Sequence, residues 1–143
     1  MIVADTGAIL ALLDSGDRHH AAVREIYEDR PDLWILPWAI LPEVDYLVAS
    51  ELGARAQEAF LADLAEGAFV VEYGKDADIA RARAIGRKYR SLNLGLVDTV
   101  VIATAERLRA EAIATLDLRH FGAVKIAGSP RLFPRDADRR RSG

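Results

Sequence analysis

The sequence predicts an α/β fold: a three-layer α/β/α sandwich around a central parallel sheet. Two observations carry this expectation. Short, continuous apolar runs alternate with helical segments along the chain. One or two helices separate successive runs, which is the crossover that parallel strands require. The length of 143 residues adds a bound, because it fits one domain and leaves no room for two.

The elements follow in order. Met1–Ala4 is a short apolar run ended by Asp5-Thr6-Gly7, and Ala8–Leu13 is apolar and helix-favouring. A second helix starts near Asp17 and places Ala21, Ala22 and Ile26 on one face. Leu33–Leu36, closed by Pro37, suits a buried strand. Ala39–Leu52 reads as a helix stopped by Gly53, and Ala54–Glu66 as another stopped by Gly67. Phe69-Val70-Val71 is aromatic and β-branched, hence a strand. Asp76–Tyr89 and Leu96–Ala110 are helices, Ala112–Leu116 is a strand, and Val124-Lys125-Ile126 is expected as the last one. Residues 1–133 are read as one domain. From Pro134 onward no apolar partner remains, so 134–143, with Arg139-Arg140-Arg141, are expected as a disordered basic tail.

Composition narrows the chemistry. Hydrophobic residues make up 51% and charged residues 29%, enough for a packed core. The net charge is −3, so binding of nucleic acid by global charge is excluded and any polyanion must meet a local basic patch. Cysteine is absent, which removes disulfides, thiolate-bound metals and thiol nucleophiles. With three histidines, two of them adjacent (His19, His20), metal ligands must be mainly oxygen. No basic segment precedes the first apolar run, and no run approaches the roughly 20 residues of a membrane span. A cytoplasmic protein with no membrane partner is expected.

In parallel sheets of this kind, sites form outside the carboxyl ends of the strands. Four acids stand there. Asp5 follows the first strand, where it also suits a helix N-cap. Glu43 lies at the edge of the Ile40–Val44–Leu47 stripe, just after Pro42, which marks a helix start. Burial there leaves a carboxylate in need of a partner, although a first-turn acid also favours the helix dipole. Asp98 precedes Val101, Ile102 and Ala105 on an apolar face, and is again a first-turn acid. Asp117 follows the Ala112–Leu116 strand, where pairing with Arg119 is the plain alternative. Two acids at strand ends and two in helix starts converge on one edge of the sheet. Four converging carboxylates repel unless some protonate or a divalent cation neutralises them. Oxygen-only ligands select a hard ion, Mg²⁺ or Mn²⁺. Such a site suits phosphodiester hydrolysis.

These residues carry a resemblance. Ile2-Val3-Ala4-Asp5-Thr6, Pro42-Glu43-Val44, Leu96-Val97-Asp98-Thr99 through Ala105, and Ala114-Thr115-Leu116-Asp117-Leu118-Arg119-His120-Phe121 resemble the motifs of PIN-domain proteins, specifically VapC-type toxin ribonucleases of bacterial toxin–antitoxin systems. The likeness spans about residues 1 to 130. It implies a PIN-like sandwich and a Mg²⁺- or Mn²⁺-dependent endoribonuclease. Asp5, Glu43, Asp98 and Asp117 match the family's acidic quartet as catalytic and metal-holding residues. It further implies a homodimer neutralised by a VapB-type antitoxin. The family often carries a hydroxyl two residues after the first acid, where this chain has Gly7; Thr6 or Thr115 supplies it instead.

An RNA substrate needs positive charge near an acidic site. Lys75–Arg90 carries six bases and two acids, with Arg83, Arg87 and Arg90 on one helical stripe: either a solvated face or an RNA-binding one. Arg119 is the stronger candidate for a residue beside the scissile phosphate. His120 reads as a loop donor or a general acid. Trp38, Leu41, Tyr46, Leu61 and Leu64 are candidates for a dimer or antitoxin surface, ordinary core packing being the commoner use of such residues. A phosphoacceptor receiver domain would need an acidic pair at the first strand, and a haloacid-dehalogenase phosphatase an Asp-x-Asp; Asp5-Thr6-Gly7 offers neither. The remaining alternative is a catalytically inactive PIN-fold protein-binding module.

Overall fold

The computed structural model describes residues 1–137. Asp138 and the Arg139–Arg141 run of the expected tail lie outside the described residues. The element order is β1 (Ile2–Ala4), α1 (Thr6–Leu13), α2 (His20–Asp29), β2 (Trp34–Pro37), α3 (Leu41–Leu52), α4 (Ala54–Ala65), β3 (Val70–Glu72), α5 (Asp76–Lys88), α6 (Leu96–Leu108), β4 (Ala112–Ala114), α7 (Leu118–Phe121) and β5 (Arg131–Phe133).

All strands pair in parallel, in the order β3-β2-β1-β4-β5. The chain winds outward from β1 through β2 to β3, then crosses back to β4 on the other side of β1. Right-handed crossovers in opposite directions place their helices on opposite faces. Accordingly α1 to α4 pack among themselves, while α5 and α6 pack together and α6 lies on β1 and β2. The inner strands β1, β2 and β4 are buried throughout. The order reverses between β1 and β4, and such a switch point is where parallel sheets open a ligand crevice. The register sets Ala4 opposite Ala114, so Asp5 and Thr115 leave neighbouring strands side by side.

Three local findings differ from the sequence expectations. The last strand is Arg131–Phe133, not Val124–Ile126. Val124 and Ile126 do enter the core, with Lys125 exposed between them. That alternation mimics a strand, but the edge of β4 is taken by Arg131, Leu132 and Phe133. Second, Leu118–Phe121, read as part of a loop, forms one helical turn capped by Asp117. Third, Pro134–Ala137, which the sequence reading assigned to the tail, form a turn closed by Ala137 N–H donating to Pro134 O. Asp136 is buried there. Its carboxylate accepts from Leu132 N–H at 2.9 Å and its own N–H donates to Leu132 O at 2.8 Å.

Candidate active site

Asp5 stands at the N-cap of α1, yet its side chain makes no capping bond. Its carboxylate instead accepts a hydrogen bond from Thr115 Oγ1 at 3.1 Å. Its backbone N–H continues the β1–β4 ladder to Ala114 O at 2.9 Å. Asp5 is 7% exposed, and Thr115 and Thr6 are also buried. Thr115 Oγ1 has a second role: it accepts from Asp117 N–H at 3.1 Å. One hydroxyl therefore ties the loop after β1 to the loop after β4.

Asp117 does cap a helix. Its Oδ1 accepts from His120 N–H at 3.1 Å, and its Oδ2 lies 2.7 Å from His120 Nδ1. The alternative pairing of Asp117 with Arg119 is absent from the ion pairs of the described residues, and Arg119 is exposed. Asp98 is half-buried in the first turn of α6, with Oδ2 at 3.8 Å from the same His120 Nδ1. Ligand atoms of Asp98, Asp117 and His120 all lie within 4.8 Å of one another. Glu43, in the first turn of α3, is exposed rather than partly buried as its stripe position suggested. Its neighbour Val44 takes the inward position.

Neither Asp5 nor Glu43 joins the group of Asp98, Asp117 and His120, but charge effects relate both to Asp98. Burial pushes the Asp5 carboxyl up to about 6, and the negative charges of Asp98 and Glu43 add to this. A backbone bond from Thr6 and the Thr115 hydroxyl act in the opposite sense. Asp98 is also raised, first by burial and then by the charges of Asp117 and Glu43, against a backbone bond from Gly95 and the nearby His120. Asp5 thus feels Asp98 and Glu43, and Asp98 feels Asp117 and Glu43. All four are linked through mutual repulsion, which would be relieved by a bound cation. The donor set is hard oxygen, and Thr6 Oγ1 beside Asp5 is buried with no protein partner. These residues fit a hard divalent ion.

Arg83, Arg87 and Arg90 are exposed on and just after α5, and none takes part in an ion pair among the described residues. Arg81, by contrast, is tied to Glu106 at 2.7 Å. Gly7 lies in α1 where a Cβ would meet nothing within 4 Å, so the absent hydroxyl is not a steric requirement. The apolar candidates divide. Leu41 and Leu64 pack against the core, whereas Trp38, Tyr46 and Leu61 are exposed, with Trp38 at 53% and Tyr46 at 71%. Sequence reasoning missed Tyr73, whose ring lies 5.1 Å from that of Trp38, because a lone aromatic after a strand carries no periodic signal. It also missed that His120 grips Asp117; the i, i+3 spacing was the available clue.

The PIN domain family matches residues 2–126. Ribonuclease VapC26 of Mycobacterium tuberculosis is 36% identical over 130 residues, covering 91% of this chain and 96% of that protein. Among solved structures, Mycobacterium tuberculosis VapC20, described as a sarcin-ricin loop cleaving toxin, superposes with a TM-score of 0.75 at 20% identity, covering 88% of this chain and 98% of the other. A toxin–antitoxin complex from Klebsiella pneumoniae gives 0.67 at 21%, covering 87% and 92%. On the strength of the family match and the identity over nine-tenths of its length, this chain belongs to the PIN-domain family, as a VapC-type member.

Proposed function

We propose that this protein is the toxin of a toxin–antitoxin pair, a metal-dependent endoribonuclease that hydrolyses phosphodiester bonds in RNA. The observation that supports this reading is that Asp5, at the β1–β4 switch point, is raised in part by the charges of Asp98 and Glu43, and Asp98 in part by those of Asp117 and Glu43. The name of the VapC26 relative supports the reaction class. Asp5, Glu43, Asp98 and Asp117 would hold the ion, Mg²⁺ or Mn²⁺. Bound there, such an ion supplies Lewis acidity, making water a nucleophile at neutral pH and offsetting charge on a phosphate.

The chain's own residues do the rest. Asp5, buried and fixed by Thr115, gives the site its rigid wall. Glu43 is the exposed member of the quartet. Thr6 and Thr115 orient the first acid, and Arg119, two residues beyond Asp117 and exposed, meets a phosphate of the RNA. Arg83, Arg87 and Arg90 extend that contact along the backbone. No helix among the described residues is long and apolar enough to cross a membrane, in keeping with a cytoplasmic RNA substrate. The toxin–antitoxin title of a structural neighbour supports a VapB-type antitoxin as partner. A homodimer would cover the exposed apolar face at Trp38, Tyr73, Ile79 and Leu96, which line a cleft of about 300 Å³.

The test is cleavage of bulk RNA by purified protein with Mg²⁺ or Mn²⁺, followed by sequencing of the new ends. Wild type cuts; Asp5→Asn, Asp98→Asn and excess EDTA each stop cutting. Cleavage that persists in the variants or in EDTA would overturn the reading, and absence of cleavage by wild type would favour a binding module.

A further inference from the structure

We propose that His120 is the positioning residue of this site: it locks the Asp117 carboxylate in the orientation in which it serves the metal. The proposal rests on the reading of Asp117 as a metal-holding residue. Asp117 is less buried than Asp5 and Asp98. Its side chain is 38% exposed and it precedes a single helical turn, α7. A carboxylate there rotates freely unless held, and freezing it costs rotamer entropy. Both of its oxygens are held by one residue, Oδ1 by the His120 N–H at 3.1 Å and Oδ2 by the His120 ring at 2.7 Å. No other side chain bonds to that carboxylate among the described residues. Because an ionised carboxylate only accepts, Nδ1 is the nitrogen that carries the hydrogen.

The position of the ring matters beyond Asp117. The same Nδ1 is 3.8 Å from Asp98 Oδ2, too long for a hydrogen bond and short enough to act through space. His120 therefore sits between two acids that repel each other. It is the one basic side chain within 4 Å of a carboxylate oxygen of the quartet among the described residues. Phe121 next to it is buried at 2% and anchors the turn, so the backbone that carries the ring is fixed. A carboxylate oriented by a hydrogen bond of this kind is the usual support for a metal-holding group, and its loss costs metal affinity.

The experiment is calorimetric titration of the metal-free full-length chain with Mn²⁺, without RNA, for wild type, Asp98→Asn, His120→Ala, His120→Gln and His120→Asn. Asn places a side-chain N–H near the position of Nδ1, whereas Gln places it near Nε2. We expect His120→Ala and His120→Gln to weaken Mn²⁺ by about tenfold or more, and His120→Asn to stay within about threefold of wild type. Melting in EDTA, with all variants cooperative, separates this from misfolding. In RNA cleavage, the Ala and Gln variants should lose kcat at saturating Mn²⁺ with little change in KM. Equal Mn²⁺ affinity in all three His120 variants, or an Asn variant as weak as Ala, overturns the positioning role. Absence in wild type of any Mn²⁺ binding that Asp98→Asn removes would instead overturn the metal reading itself, and the positioning role with it.

Discussion

Asp5 carries the strongest consequence of any single residue in this chain. Its folded pKa of about 6 stands above the ordinary 3.8, mainly because burial penalises the charge. An acid raised by folding binds its proton more tightly in the native state. Its contribution to stability is therefore complete below about pH 4 and is lost as the pH rises through about 6. The shift of roughly two units corresponds to about 3 kcal/mol. Urea denaturation in EDTA should show wild type losing stability from pH 4 to 7, and Asp5→Asn showing a flatter profile. Parallel profiles for the two proteins would contradict the assignment. Asp98 is raised for the same reasons, so removing its charge relieves the cluster. Asp98→Asn should abolish RNA cleavage by about 100-fold or more while its melting temperature in EDTA equals or exceeds that of wild type. Gly7 makes a third prediction at this scale. A Cβ there meets nothing, so Gly7→Ala in α1 should stabilise by about 0.5–1 kcal/mol, read as a shifted urea midpoint. Much of this scale was legible in the sequence. The four acids stand out in the sequence because each follows a strand or opens a helix, positions that the elements confirm. The exposure of Glu43 and the grip of His120 were not legible, because both depend on where α3 and α7 lie after the chain has closed on itself.

At the scale of elements, charged contacts join α5 to α6, Arg81 with Glu106 among them. Arg107, near the end of α6, donates to Asp78 at 2.8 Å and to Glu72 at 2.7 Å. Asp78 is 5% exposed and accepts the Lys75 N–H as well. Its burial alone would raise it, yet Arg107 and that backbone bond hold its carboxyl below the usual range. Arg107→Ala leaves a buried carboxylate without its counter-charge and should destabilise by about 3 kcal/mol, measured by urea unfolding. A loss below about 0.5 kcal/mol would place the pair among solvated ones. Helices were easy to place from sequence because Gly53 and the apolar stripes mark them; Gly53, at φ 96°, separates α3 from α4 without a loop. Strands were harder. Val124–Ile126 has the inside–outside alternation of a strand, and Leu132–Phe133 has only two apolar residues before Pro134. What decides between them is which segment pairs with the free side of β4, and Arg131–Phe133 does so.

For the whole molecule, the layered fold has one face left uncovered. Trp38, Tyr73, Ile79 and Leu96 are each more than half exposed and surround one cleft. In solution the chain should sediment as a dimer, and Trp38→Asp together with Leu96→Asp should shift it to a monomer without loss of far-UV helicity. Dimer mass retained in the double variant would move the interface elsewhere. At the opposite margin of the sheet, Leu132 presents its outward N–H and C=O to Asp136, so β5 is already closed by its own chain. A peptide seeking to extend the sheet by backbone pairing finds no vacant ladder on that side. Any segment that inhibits this protein from there must bind through side chains, and its sequence can change freely wherever strand propensity alone would have constrained it.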